Sequence, residues 1–377
     1  MKVLHSALML SPVSGIINQM KWEQAAANDI DLDWDVRIFC PQYASLSGDV
    51  FEFSKVVRVK GQKTLQRRAL DYVKFRMEYY AWLDKCAETY DLLLLRYSTS
   101  DPFQYSFIRR CKKPVYLVHH TLEIPELRAI GGIGSRLRIA AERFCLPRNY
   151  RAASGFIGVT REIVDLRPND GNDASKGTYC YANGINCSEF FVDGSLTSNK
   201  ADGVPTLIFV ASSFNRWHGL DLLLEGVRKS NRKFRLHIVG NVGEEEKAIA
   251  ANDPRIFLHG HVSQEKLSRL IEQADLGLSS FALNRNKMEE ACPLKSREYL
   301  VQGLPIYAGH RDIFPDDCGF YKVGRPDIED ILRFRDEIVE KSRVEISNAA
   351  YPFIEKKRLL KGLHEWLEMQ YRSSSAI

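Results

Sequence analysis

The chain has 377 residues, 45% hydrophobic and 27% charged, which suits a soluble globular protein with two domains of ~150 to 200 residues. Its eight cysteines include no Cys-x-x-Cys pair and no Cys/His grouping of zinc-ligand spacing, and no apolar run approaches the ~20 residues of a spanning helix, so the expectation is a cytoplasmic protein with reduced thiols that neither crosses a membrane nor is exported. The net charge of +5 is unevenly spread: residues 55–151 hold 20 Lys/Arg against 9 Asp/Glu, a net of +11, whereas residues 191–377 hold 27 of each, so a phosphate-bearing partner (nucleic acid, anionic lipid or lipid-linked pyrophosphate) would meet the first half.

Residues Lys2 to Leu10 read as a buried strand, followed by a turn at Ser11, Pro12, Ser14 and Gly15 and a helix from about Ile17 to Asn28. Strand, glycine turn and helix open a doubly wound sheet, in which ligands bind at the carboxyl ends of strands. Val36 to Phe39 and Phe51 to Val59 read as strands. Gln62 to Leu83 reads as a helix in which Lys63, Arg67, Arg68, Lys74 and Arg76 interleave with apolar residues. Two more buried strands, Asp91 to Arg96 and Pro114 to His119, are separated by the length of a helix, and the second delivers His119, His120 and Thr121 to a carboxyl end. Glu123 and Glu126 follow as weaker candidates.

A glycine-rich loop at Gly131, Gly132 and Gly134 then leads into a predicted helix, Ser135 to Leu146, that Pro147 ends. Leu137, Ala140, Ala141 and Phe144 recur at helical spacing, with Arg136, Arg138 and Arg143 off that stripe. The pattern fits a helix lying in an anionic membrane surface and equally one whose stripe packs on its own sheet. Phe156 to Val159 is a further strand, Asn183 and Gly184 form a turn, and the polar, breaker-rich run Asp193 to Asp202 reads as a linker.

The pattern restarts beyond it. Thr206 to Ala211 is a strand, SSFNRWHG (Ser212 to Gly219) the loop into a helix Leu220 to Ser230, and Phe234 to Val239 a strand running into Gly240 and Gly243. Ile256 to Leu258, the helix Gln264 to Gln273 and the strand Leu276 to Ser279 lead to NRNKMEEACPLKSREYLVQGLPIYAG, Asn284 to Gly309. There Glu290 and Glu298 are separated by seven residues. A helix fits between Pro293 and Gly303, and a short apolar strand follows. A helix N-terminus carries roughly half a positive charge and unpaired N–H groups, so a phosphate fits between the glutamates with Lys295 reaching toward it. Pro352 to Met369 reads as a final amphipathic helix.

At these residues the chain resembles the retaining GT-B glycosyltransferases of the family 4 type, the glycosyl transferases group 1, which carry a Glu, seven residues and a second Glu, then a helix and a Gly-Leu-Pro segment. The resemblance implies an α/β fold of two Rossmann-like doubly wound domains facing an interdomain cleft. These would be an acceptor domain, residues 1–192, and a nucleotide-sugar donor domain, residues 203–350, with the helix 352–369 crossing back to the first. It implies that Glu290 lies near the transferring sugar and diphosphate, that Glu298 bonds the ribose hydroxyls, and that Gly15, Arg216, His218, Gly240, Leu294 and Lys295 complete the donor site. A functional histidine at the strand end is also implied, His120 in preference to His119, serving the acceptor's proton or a sugar hydroxyl.

The chain departs from the family in two places: Ala291, Cys292 and Pro293 stand where glycines are frequent, and Ser213 and His218 stand at the usual Arg and Lys positions, with Arg216 between. Arg216, His218 and Lys295 are then expected to share the charge of the departing diphosphate. The expected partners are a nucleotide sugar, a lipid-linked saccharide and an anionic membrane surface met by Arg136, Arg138 and Arg143, with no metal or other cofactor. A nucleotide-sugar epimerase would share the same nucleotide contacts. A nucleic-acid-binding protein would use the basic first half, but no recognition module is present.

Overall fold

A computed structural model describes residues 1–43, 45–58, 65–165, 176–190 and 203–375, with the backbone alone for 56–58, 65–69 and 374–375. The linker expected at 193–202, and Lys63, lie outside the described residues. The chain divides into two compact units, Met1–Tyr181 with Lys356–Ile377, and Ala182–Glu355.

The first unit runs β1 (Val3–Leu8), α1 (Ser14–Asp29), β2 (Trp34–Gln42), β3 (Phe51–Arg58), α2 (Leu65–Cys86), β4 (Leu92–Arg96), α3 (Pro102–Arg110), β5 (Val115–His119), α4 (Glu123–Ile130), α5 (Gly132–Ala152), β6 (Gly155–Gly158), α6 (Arg161–Asp165) and β7 (Gly177–Cys180). Among the described residues these strands form a seven-stranded parallel sheet ordered β3-β2-β1-β4-β5-β6-β7. The order reverses between β1 and β4, the switch point of a doubly wound sheet. The run Leu92–Leu95 is apolar without alternation because helices cover both faces of the sheet. One core packs Val3, Met20, Val36 and Leu94 with Leu360, Leu363 and Leu367. The other packs Leu4, Phe39, Phe75, Tyr79 and Phe107. Asp101 starts α3 by accepting the Phe103 N–H, with Pro102 in the first turn where a missing N–H costs nothing.

The second unit runs β8 (Thr206–Ser213), α7 (Leu220–Lys229), β9 (Arg235–Asn241), α8 (Glu244–Ala251), β10 (Ile256–Leu258), α9 (Gln264–Gln273), β11 (Leu276–Leu278), α10 (Leu294–Val301), β12 (Ile306–Ala308), β13 (Tyr321–Val323), α11 (Ile328–Ile338) and α12 (Arg343–Ile354). Among the described residues its parallel sheet has six strands in the order β10-β9-β8-β11-β12-β13, the same doubly wound plan with its switch point between β8 and β11. The last helix, α13 (Lys356–Ser375), belongs to the first unit and packs against α1.

Four local expectations are corrected. Helix α1 begins at Ser14, so Gly15 is a residue of its first turn and not of a preceding loop. The chain between His120 and Ser135 is mostly helical: α4 fills 123–130, and α5 already includes Gly132 and Gly134. Pro147 does not end α5, which continues to Ala152 with Cys145 and Asn149 buried on either side of the proline. Packing there outweighs the one main-chain hydrogen bond that proline cannot make. Finally, the expected single helix 352–369 is two: α12 stops at Ile354, Glu355 is extended, and α13 starts at Lys356.

That restart is anchored in a buried polar cluster. Glu23 of α1 accepts hydrogen bonds from His5 Nδ1 (2.6 Å), Trp34 Nε1 (3.1 Å) and the Tyr181 hydroxyl (3.0 Å), and the fully buried Lys356 ammonium lies 3.4 Å from that hydroxyl. Burial alone would raise the Glu23 carboxyl, but His5, Lys356 and Tyr181 together hold it at about 2.

Candidate functional site

In the second unit the sequence-predicted residues gather beyond the carboxyl ends of β8 and β11, where doubly wound sheets bind ligands. Gly240 has φ +126°, and a Cβ there would stand 1.6 Å from the Ala211 carbonyl oxygen, so only glycine lets β8 and β9 approach this closely. After β8 the chain makes a short 3-10 turn, Arg216–His218. His218 Nδ1 accepts the Asn215 N–H at 2.9 Å, and burial pushes the ring below its ordinary pKa. His218 is therefore neutral near pH 7 with its proton on Nε2, so it offers an N–H dipole and no full charge. Arg216 is exposed, and its carbonyl accepts from Arg285 Nη1 at 2.7 Å. Arg285 also grips Asp221 through two bonds of 2.8 and 2.7 Å. Main-chain bonds from Phe281 to His218 (2.9 Å) and from Ala282 to Trp217 (3.2 Å) join this turn to the segment that runs into Glu290.

Glu290 sits in the loop before α10, as the spacing predicts. Its loop pairs in parallel with Arg311: the Arg311 N–H donates to the Glu289 carbonyl (2.9 Å) and the Ala291 N–H to the Arg311 carbonyl (3.0 Å). The Arg311 guanidinium stands 3.8 Å from the Glu290 carboxylate and 3.1 Å from that of Glu289. Helix α10 starts at Leu294 behind Pro293 without a side-chain cap, leaving its first amides to other acceptors. Glu298 is buried on the next turn. The Lys295 ammonium lies 2.8 Å from Glu298 Oε2. At the helix end Gly303 takes φ +69°, where a Cβ would stand 2.2 Å from the Arg343 carbonyl oxygen, so the residue after the helix must be glycine.

In the first unit the two histidines at the end of β5 differ. His119 is buried, bonded through Nδ1 to Glu123 (2.7 Å) and stacked on Tyr97 at 4.3 Å, so Glu123 is committed to orienting it. Nε2 of His120, like that of His119, is buried with no hydrogen-bond partner. Burial, reinforced by Arg96, His5, Lys356 and His119, pushes the His120 ring well below the ordinary histidine value. It is a neutral imidazole with an unspent nitrogen, suited to a hydroxyl partner. Burial raises the Glu126 carboxyl.

On α5 the buried residues are Ser135, Glu142, Cys145 and Asn149, all polar except the cysteine, and Glu142 accepts from the Tyr97 hydroxyl at 2.6 Å. The apolar stripe faces out, with Leu137 69% and Phe144 55% exposed, and Arg136, Arg138 and Arg143 are exposed with it. Among the described residues no three His, Cys, Asp or Glu side chains gather as metal ligands, and no helix is long and apolar enough to cross a membrane.

Sequence reasoning missed Arg285, whose partner Asp221 is 64 positions away. It also missed Asn183, Arg297 and Asp312, which brace the Glu290 loop. The Asn183 amide donates to the Cys292 carbonyl (2.6 Å) and the Asn183 N–H to Cys292 Sγ (3.1 Å). Arg297 pairs with Asp312 in a fully buried bidentate contact (2.5 and 2.6 Å) and donates to the Asn183 carbonyl (2.9 Å). The one available signal was an arginine among apolar residues in SREYLV.

Comparison with known proteins adds to this geometry. Residues 204–317 match the family described as glycosyl transferases group 1. No curated protein matches the chain. Among solved structures, the chain resembles a lipopolysaccharide outer core galactosyltransferase, WaaB, in its apo form (TM-score 0.62, 12% identity, 98% of this chain and 100% of that one). It also resembles HepE of Anabaena in complex with UDP-glucose (0.64, 14%, 98% and 99%) and a glycosyltransferase of Rickettsia africae (0.64, 14%, 97% and 98%). At these identities the likeness speaks to the fold, which is GT-B.

Proposed function

We propose that this chain, a glycosyltransferase of the group 1 type, moves a sugar from a nucleotide diphosphate sugar to an acceptor hydroxyl with retention at the anomeric carbon. The observation that carries the reading is the uncapped start of α10, flanked by Glu290 before it and Glu298 behind it, inside the matched stretch. The bond from the anomeric carbon to the diphosphate breaks, one to the acceptor oxygen forms, and the acceptor's proton leaves with the departing diphosphate. Charge developing on the departing diphosphate is met by the first amides of α10, Lys295, Arg216 and the His218 N–H, with no metal ion in the scheme. Gly240 and Leu294 supply close backbone approach. Glu298 accepts from the ribose hydroxyls, Glu290 serves the reacting sugar, and His120 bonds a sugar or acceptor hydroxyl.

For the acceptor we infer a lipid-linked saccharide in polysaccharide assembly, met by a cytoplasmic enzyme at the inner membrane face. The outward apolar stripe of α5 with Arg136, Arg138 and Arg143 supports that reading over the one in which the stripe packs on its own sheet. A thermal-shift screen of nucleotide diphosphates and nucleotide sugars tests the donor, with UDP-glucose first because the HepE structure holds it. A binding donor then goes to acceptor assays, where epimerised donor without transfer would convict the glycosyltransferase reading.

A further inference from the structure

Four backbone groups around the Glu290 loop are tied down, three of them by groups distant in sequence. The Ala291 N–H is held by the Arg311 carbonyl (3.0 Å), the Cys292 carbonyl by the Asn183 amide (2.6 Å), and the Pro293 carbonyl faces Arg297 Nη1 (3.4 Å). The fourth is the Asn183 carbonyl, which takes Arg297 Nε (2.9 Å) and so closes the ring of contacts. Arg297 projects from α10 itself, and Asp312 follows directly on Arg311, the loop's pairing partner. The side chains of Arg297 and Asp312 are completely buried, the guanidinium lies 5.1 Å from the Phe314 ring, and Asp312 Oδ1 also accepts the Ile313 N–H (2.7 Å).

A buried ion pair of this kind is weak evidence for stability, because an apolar pair of similar volume commonly does as well. It fixes geometry, however: a planar fork on a carboxylate allows one orientation. The Pro293 carbonyl, faced by Arg297 Nη1 (3.4 Å) and the Ser296 N–H (3.2 Å), shares its planar peptide with the Leu294 N–H, so holding that carbonyl fixes the direction in which the first amide of α10 points.

We propose that Arg297, Asp312 and Asn183 form a positioning clamp that presents Glu290 and the first amides of α10 to the diphosphate of the donor. The clamp does the work that glycines do elsewhere in the family, and it accounts for Ala291, Cys292 and Pro293 at those positions. A pliable glycine loop can close around a phosphate, whereas this loop is braced from behind in its binding shape, so the ordering cost is met on folding. The proposal rests on the reading that α10 and Glu290 meet the donor.

The test compares wild type with Asn183→Ala, which removes one amide and leaves its backbone bonds, and with the double variant Arg297→Met/Asp312→Leu, which removes both buried charges together. Two measurements are made on each folded protein. The first is alkylation of Cys292 without ligand, read by peptide mass mapping, since its thiol is buried and held by the Asn183 N–H. The second is calorimetric binding of ADP, GDP, UDP, CDP and TDP. The expected result is faster Cys292 alkylation in both variants, together with an affinity loss of about tenfold or more for the nucleotide that wild type binds, as small misplacements at a phosphate site commonly produce. A folded variant with a loosened loop and wild-type affinity, or with unchanged alkylation, overturns the clamp alone. Wild type that binds none of the five nucleotides overturns the donor reading and the clamp with it.

Discussion

Lys295 and Glu298 form an ion pair on successive turns of α10, ammonium to carboxylate 2.8 Å, on a helix whose first amides have no side-chain cap. Only Oε2 of the glutamate is engaged with the lysine, so in the proposed donor site the same carboxylate would hold Lys295 beside the diphosphate and still accept from ribose hydroxyls. On that reading the pair couples recognition of the two ends of a nucleoside diphosphate.

Glu298→Ala should weaken nucleotide diphosphate binding by roughly 1.5 to 3 kcal/mol, the usual worth of hydrogen bonds to a charged acceptor. The freed Lys295 should not compensate, because it loses its anchor. Calorimetry on the folded variant decides the matter, and wild-type affinity would remove Glu298 from the site.

Glu290→Gln and His120→Ala should lower turnover far more than donor affinity, since both groups are assigned to bonds that strengthen as the reaction proceeds. His120 starts neutral, so its contribution should persist across neutral pH instead of titrating there. Near-wild-type kcat in both variants would relocate the reaction centre.

The Glu23 cluster predicts an acid limit to stability. The carboxyl is held at about 2 against an unfolded value of 4.5, so it contributes stability above the unfolded value that is lost as pH falls through the folded one. Denaturant titrations from pH 7 down to pH 2 should show wild type losing on the order of 3 kcal/mol more than Glu23→Gln across that interval. The variant should start lower at pH 7, because Lys356 and His5 lose their buried anion. Parallel curves for the two proteins would exclude this carboxylate as the source.

The parts of the fold that could be read in advance are those in which the physics is local. The apolar runs at Leu92–Leu95 and Leu207–Phe209, and the Glu290 and Glu298 spacing ahead of Gly303, are short-range patterns, and the structure has strands and a helix there. The failures came where long-range packing overrode a local breaker. Pro147 inside α5 and the glycines at its start were punctuation in the sequence, yet Cys145, Asn149 and Glu142 are buried and keep the helix continuous. Ion pairs between distant positions, Arg297 with Asp312 and Arg285 with Asp221, left no trace in spacing at all. Helical period told that α5 has an apolar stripe but not which way it faces, and the inward side proved to be the polar one.

That orientation carries the last prediction. Ile133, Leu137 and Phe144 recur at helical spacing and are at least half exposed, and Arg148 covers the Phe144 ring at 3.5 Å. On the same layer α2 exposes Leu70 and Met77, each more than half, and α3 packs between α2 and α5. A soluble surface gains nothing from such a stripe, whereas an anionic bilayer accepts the apolar side chains and attracts the arginines, each contributing roughly 1 kcal/mol near the surface. Arg136, Arg138 and Arg143 changed together to Glu should cut co-sedimentation with vesicles containing phosphatidylserine, and the difference from wild type should shrink as salt rises. Leu137→Ser with Phe144→Ser should cut it at every salt concentration, because apolar insertion is not screened. Both variants should keep nucleotide affinity, since Lys295, Glu298 and the start of α10, to which the donor is assigned, lie in the other unit. Wild type that stays in the supernatant at low salt, or variants that sediment equally with it, would remove the membrane from the scheme and leave the stripe to a protein partner.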